Sequence, residues 1–244
     1  MTVQALRWAF FIVFATVVVT IGPTCTAQQT SKSQEDALLA AARIAVSRDE
    51  NVFADFKKNE FKAISLVGAS AERQKGRLIL HLKSGQTKTY ANSKECADPD
   101  KEADCVEYAL IVHSNSRGVF LILTMYYESA EYRLVDDRTG RETVLAEFPI
   151  FSPKGDRVFV ALDEMDEPES MVQIWRRVED RFVMEWSASP YKQGNYATYD
   201  LIRWNSEDVI DLKATISYDP PKPDETRLFS VRRNEVGWHL AQMQ

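Results

Sequence analysis

Between Gly76 and Tyr90 apolar and polar residues alternate. Leu78, Leu80 and Leu82 fall on one face, and Arg77, Ile79, His81 and Lys83 on the other. That period of two predicts a half-buried strand, with Ser84-Gly85 as its turn and Thr87-Lys88-Thr89-Tyr90 as the returning partner. Downstream the alternation gives way to apolar runs. Phe120-Leu121-Ile122-Leu123 has no polar face, so Val119 to Tyr127 predicts a central strand beside Tyr108 to His113. Glu131 to Val135 and Glu142 to Leu145 flank an Asp-Arg-Thr-Gly turn. Arg157 to Leu162 is again apolar on both faces. Met171 to Arg177 returns with Trp175 as its large anchor, and Arg181 to Ser187 follows a Val178-Glu179-Asp180 turn. A last unit runs from Tyr196 to Ala241. In it Val209 to Ile216 takes the place of the buried strand, and Arg227 to Arg232 turns through Asn234-Glu235 into Val236 to Ala241.

The N-terminal part has a different rhythm. Ala37-Leu38-Leu39-Ala40-Ala41-Ala42 has high helix propensity, and Ser33 followed by Asp36 outlines a capping box. A helix is predicted over Gln34 to Ser47. Val52-Phe53, Phe56 and Phe61 continue it or form a second short helix. Residues 28–62 thus read as a helical arm packed on its own β domain, residues 63–244.

The stretch Phe148 to Arg177 sets the pattern for the rest. Ser152-Pro153-Lys154-Gly155-Asp156 is a structural turn: Pro153 presets φ, and Gly155 takes the positive φ that follows. Hairpin turns near Thr139, Asp180 and Asn234 recur about 40 and 55 residues apart, in the range of propeller blades with insertions. Ile202 to Glu207 stands where Ile150 to Gly155 stands in the preceding unit. The Phe-Ser-Pro-x-Gly turn before a buried strand resembles the repeats of β-propellers, most nearly the propeller of the Tol translocation protein. A wider likeness rests on Tyr127-Glu128, Tyr132 to Asp136, Thr139-Gly140 and Phe148 to Gly155. On these residues the chain resembles a family of uncharacterised exported bacterial proteins. The resemblance implies a compartment and a fold class, and no catalytic residues. The expected fold is mainly β, with antiparallel repeated units in a partial or small propeller-like array and an N-terminal helix. Propellers normally have at least four blades, so the Gly76 hairpin supplies part of a fourth or the array stays open. A β-sandwich is the alternative, being also a run of antiparallel hairpins.

Residues 1–27 read as a signal peptide. Arg7 precedes an apolar run from Trp8 to Ile21, Gly22-Pro23 breaks it, and Cys25-Thr26-Ala27 offers a cleavage site. An uncleaved anchor and lipidation at Cys25 are the other readings. With Cys25 removed, Cys96 and Cys105 remain, bracketing a polar loop, and in an oxidising compartment they read as a disulfide; two free thiols or metal ligands are the alternative.

Charge and chemistry narrow the function further. Asp and Glu outnumber Lys and Arg by 36 to 30, with no basic stripe, which argues against nucleic acid and anionic membranes and leaves cationic partners open. There is no G-x-S-x-G, no H-E-x-x-H and no glycine-rich phosphate loop, so no catalytic residue, metal site or cofactor is assigned. His81, His113 and His239 are isolated and read as structural. Two acidic loops, Asp163 to Glu169 and Asp98 to Asp104, lack the glycine of a calcium loop and read as solvated. Tyr126, Tyr127, Tyr191, Tyr196, Tyr199 and Trp204 read as core more than as a binding surface. The expectation is a periplasmic or secreted, non-enzymatic binding module. Its partner would be a protein or an envelope component, and it would have no stable membrane span after cleavage. A carboxylate-based hydrolase acting on envelope glycans, or a structural envelope protein, is the alternative. Export is checked by N-terminal sequencing of the extracytoplasmic form: Gln28 as the first residue is expected, and intact Met1 on cytoplasmic protein would contradict the reading.

Overall fold

The computed structural model describes residues 32, 35–43, 52–97, 99–127, 129–162, 171–188, 195–218 and 223–243. The signal-like segment and the acidic loop 163–170 lie outside them. Two helices come first, α1 (residues 35–43) and α2 (Val52–Val67). Four antiparallel sheets follow. The first is β1 (Ala71–Gln74), β2 (Arg77–His81) and β3 (Thr87–Ala91). The second is β4 (Glu107–Ser114), β5 (Val119–Met125), β6 (Ala130–Asp136) and β7 (Glu142–Leu145). The third is β8 (Ile150–Phe151), β9 (Arg157–Leu162), β10 (Met171–Val178) and β11 (Arg181–Ala188). The fourth is β12 (Asn195–Ser206), β13 (Val209–Tyr218), β14 (Glu225–Arg233) and β15 (Trp238–Gln242). Every strand pairs only with its neighbours in sequence. The chain is therefore mainly β and built from repeated antiparallel units, a strand order common to blade arrays and stacked sandwiches.

Side-chain alternation joins these sheets. On β5, Phe120 and Ile122 enter a core shared with Leu78, Leu80 and Leu82 of the first sheet and Ala63 of α2. The intervening Leu121 and Leu123 enter a second core with Val158 and Val160 of β9. On β9, Phe159 faces the other way, into a third core with Ile210, Leu212 and Val231 of the fourth sheet. Runs without a polar face are thus strands covered on both sides. Polar contacts reinforce the stack. Lys83 in the first sheet reaches Asp137 in the second at 2.6 Å, and Thr143 Oγ1 accepts the Phe182 N–H in the third at 2.8 Å.

The helices protect first-strand edges. β4 is an edge strand with a bulge between Leu110 and Val112. The buried Glu60 carboxylate of α2 accepts the Leu110 N–H at 2.9 Å and is held by Arg73, which also donates to the Tyr108 carbonyl. An exposed strand edge would otherwise present unpaired backbone groups. Helix α2 thus packs along β4.

Three details differ from the sequence reading. The second helix is not short, running past residue 62 to Val67. β1 has one apolar anchor, Ala71, and its strand character comes from pairing with β2 through the Lys75-Gly76 turn, both at positive φ. Trp175 is only half-buried, and Val172 and Ile174 are the fully buried anchors of β10. Alternation along β10 puts Trp175 on the opposite face, half-buried against the core between the second and third sheets, while Val172 and Ile174 face the fourth. The turns near Thr139, Asp180 and Asn234 do fall at equivalent places, each joining the last two strands of its sheet. Cys96 and Cys105 have their sulfurs 2.11 Å apart, at disulfide distance, across the loop between β3 and β4.

Ser152 is buried in the turn between β8 and β9. Its Oγ accepts the N–H groups of Gly155 and Arg157, each at 3.2 Å. Gly155 has φ +81°, and a Cβ there would lie 2.7 Å from Arg117 Cγ. Gly85 has nearly the same φ, +83°, with nothing within 4 Å. The two glycines therefore separate backbone strain from close approach. Valine at either site costs about 1 kcal/mol or more through φ alone. Gly155→Val adds overpacking against Arg117, about 1–3 kcal/mol. Urea denaturation should show a lower midpoint for Gly155→Val than for Gly85→Val; equal midpoints would contradict this role of the turn.

Candidate functional site

The segment Phe148-Pro149-Ile150-Phe151 leads from the second sheet into the third. Phe148 is buried against Tyr132 edge-on, at 5.4 Å between ring centroids, and Phe151 stacks edge-on with Phe182 at 6.4 Å. These contacts hold the segment as one wall of a groove of about 570 Å³. Leu39 and Ala40 of α1 form the facing wall, and Arg43, Arg117, Asp36 and Asp200 complete the lining. The volume is that of a small-molecule site.

Helix α1 is fixed over this groove mainly by charge. Glu35 is buried, and its carboxylate accepts the Ser114 and Ser116 hydroxyls at 2.8 Å each and the Asn115 N–H at 3.0 Å. All three donors come from the turn between β4 and β5. Asp36 pairs with Arg117 of the same turn at 2.8 Å. At the other end Arg43 donates to the Leu201 carbonyl of β12 at 3.0 Å. Leu38, Leu39 and Ala42 pack onto the core between the second and third sheets. These contacts hold the described part of α1 on the sheets.

Arg117 belongs to both walls. Its guanidinium donates to Ser114 Oγ at 3.2 Å, lies 5.1 Å from the centroid of the Phe151 ring, and its stem passes over Gly155. Its side chain is only 8% exposed, and its Nε is buried with no acceptor among the described residues. Gly155 thus makes room for the Arg117 stem that lines the groove.

The other polar groups singled out by the sequence do not converge here. His81 sits on the surface against Glu72 at 3.3 Å, and His239 against Asn234 at 3.0 Å. His113 is buried, stacked on Phe120 at 4.0 Å and bonded through Nε2 to Asp137 at 3.1 Å. Burial holds its pKa below the ordinary value against the opposing pull of Asp137, so it is a neutral structural histidine. Among the described residues no group of three or more His, Cys, Asp or Glu side chains is placed to hold a metal ion. Tyr199 is buried in the core, Trp204 is half-buried with its Nε1 donating to the Ile150 carbonyl at 3.3 Å, and Tyr127 is exposed; they form no common surface. Tyr191, Tyr196 and the acidic residues 163–169 lie outside the residues whose side chains are described.

One carboxyl pair has divergent proton affinities. Glu207, in the turn between β12 and β13, accepts the Lys154 N–H at 2.6 Å and so clamps the Ser152–Asp156 turn from the fourth sheet. Burial and then the hydrogen bond with Asp156 raise its pKa. Asp156 is held below its ordinary value although burial opposes this, by its bond with Glu207, the charge of Arg157 and Ser152. Glu207 Oε2 is buried without a hydrogen-bond partner among the described residues. Neither residue lines the groove.

No protein-family model matches the chain, and no curated protein matches it.

The carboxyl pair sets a pH dependence. A carboxyl raised in the folded state binds its proton more tightly there than when unfolded. The stability from Glu207 is therefore present at low pH and lost as pH rises through its folded value. Asp156 acts oppositely, its contribution fading as pH falls through its depressed value. Glu207→Gln supplies a permanent donor to Asp156 and keeps an acceptor for Lys154. Its urea midpoint should exceed that of the wild type at pH 8, by less than about 1 kcal/mol because the pair is partly exposed. The difference should shrink toward pH 4. A variant less stable than wild type at pH 8 would contradict the raised proton affinity of Glu207.

Proposed function

We propose that this protein is an exported, non-enzymatic binding module that uses the groove between α1 and Phe148–Phe151 as its ligand site, on a rigid β scaffold of propeller-like units. The carrying observation is the groove itself: lined mainly by apolar side chains, with four charged residues among them, and held by elements from three sheets. Its two carboxylates do not suit hydrolysis. Asp36 and Asp200 are each held against a cation, Arg117 and Lys213, and are 48% and 61% exposed. A general acid needs the opposite surroundings, apolar and dry. The cysteine pair at disulfide distance and the signal-like N-terminus support the periplasm or the extracellular space, and a protein or envelope component as partner.

A carboxylate-based hydrolase is the second reading, favoured by the Asp156–Glu207 pair, since divergent carboxyl proton affinities are the usual mark of an acid and a base. It is second because both groups are bonded within tight turns and neither opens onto the groove.

Ala40 is exposed and lines the groove, so Ala40→Trp fills the cavity without disturbing a core position. An envelope component retained by the wild type should be lost by Ala40→Trp, with thermal unfolding unchanged within a few degrees. Retention by both forms would place binding elsewhere on the molecule.

A further inference from the structure

The groove runs along the edge of the third sheet. Side chains of an extended chain point to opposite faces in turn, so a cavity on one face meets every second residue. Phe148, Pro149, Ile150 and Phe151 all line this one. Consecutive residues are met together only from the side, along the edge. β8 is the terminal strand of its sheet, and among the described residues no strand pairs with its far side. Helix α1 passes in front of that side, tied to the β4–β5 turn at one end and to β12 at the other.

The direction of the backbone groups follows from the ladder. The Ser152 N–H donates to the Arg157 carbonyl at 3.0 Å, which makes these two residues a bonded pair. Bonded and non-bonded pairs alternate along an antiparallel ladder. Phe151 and Val158 are therefore a non-bonded pair, and the Phe151 N–H and C=O point off the free edge. The β9–β10 ladder agrees. The Arg177 N–H donates to the Asp156 carbonyl at 2.8 Å, so Val158 turns its own N–H and C=O to Trp175. Neither backbone group of Phe151 meets a partner among the described residues. Pro149, two residues earlier, has no N–H to donate, which suits a sheet edge. An unpaired edge beside a cavity is a template for a further strand. The lining holds two acidic and two basic side chains, so charge favours neither sign, and its other residues are apolar. We propose that the groove takes an extended, uncharged, mainly apolar peptide segment of a partner protein, added as a strand to the free edge of β8 and exchanging hydrogen bonds with Phe151. Leu39 and Ala40 face the segment from its other side. This deepens the binding reading above and rests on it.

NMR titration of the mature chain tests it with three blocked pentapeptides, acetyl-Ser-X-Ser-X-Ser-amide with X as Val, Leu or Phe. Each is run beside a counterpart N-methylated at every residue, which keeps the side chains and removes the backbone donors. At least one peptide should bind at least about tenfold more tightly than its methylated form, as one or two net hydrogen bonds require. On binding, the Phe151 amide should shift and become protected from exchange. Ala40→Trp should abolish that binding. Should this variant lose its fold, the Phe151 amide of the wild type still decides. Equal affinity for a peptide and its methylated form, both lost in Ala40→Trp, overturns the strand pairing and leaves the binding reading standing. Binding that leaves the Phe151 amide unchanged also overturns the proposal. So does a Phe151 amide already protected in the free chain, which assigns the edge to the chain itself or to a second copy. No binding by any of the three peptides at millimolar concentration overturns the proposal as well. The binding reading falls with it only if Ala40→Trp also retains the envelope component.

Discussion

The structure depends on the strict alternation of side chains along β5 and β9. A strand offers its residues to two faces in turn, and here both faces of both strands are apolar. Phe120 and Ile122 commit one face of the second sheet to the first sheet, while Leu121 and Leu123 commit the other to the third. Val158 and Phe159 do the same for the third sheet, joining it to the second and the fourth. No sheet can leave the stack without exposing a face that is 0–2% exposed in the native state at these positions. Each such side chain returned to water costs about 1.5–3 kcal/mol.

The groove follows from what this stacking leaves unfinished. Sheets two and four present first-strand edges, β4 and β12. Glu35 enters the turn between β4 and β5 as a ready acceptor, and hydrogen bonds to a charged group contribute about 1.5–3 kcal/mol each. Arg43 reaches the β12 backbone from the other end of the same helix. A short helix anchored at both ends spans the gap in front of Phe148–Phe151 without filling it. The site is thus made of elements from distant parts of the chain, and its rigidity derives from the sheets beneath.

Much of the scaffold was legible in the sequence because it obeys local rules. The period of two over Leu78–Leu82, the two-faced runs at Phe120–Leu123 and Arg157–Leu162, and the glycine of the Ser-Pro-x-Gly turn each have one physical meaning. β1 escaped notice because Ala-Glu-Arg-Gln has no alternating apolar pattern, and its pairing is decided by the neighbouring strand. Trp175 is not the buried anchor because size alone does not say which face of β10 is fully covered: Val172 and Ile174 face the closed core toward the fourth sheet, and Trp175 the other way. The groove was the least legible part. Arg117 stands in Ser-Asn-Ser-Arg-Gly, which reads as a solvated turn, and only the long-range approach of Asp36, Phe151 and Gly155 makes it a wall. Glu35 carries no signal of its own, since nothing nearby in sequence announces Ser114 and Ser116 as its partners. A partial signal was available in Phe-Pro-Ile-Phe, an apolar segment too short and too interrupted by proline to be a covered strand.

The central claim is that α1 is docked on the stack and so closes one wall of the groove. The Asn115 amide reports this directly. Its N–H lies in a turn and is bonded at 3.0 Å to the Glu35 carboxylate, an acceptor that exists only while α1 is in place. Native-state hydrogen exchange should show this amide protected well beyond an ordinary turn amide, with the protection lost in Glu35→Ala while the β5 amides stay protected. Exchange of Asn115 at the rate of a free turn in the wild type, with β5 protected, would show that α1 does not hold its place and that the groove has no second wall.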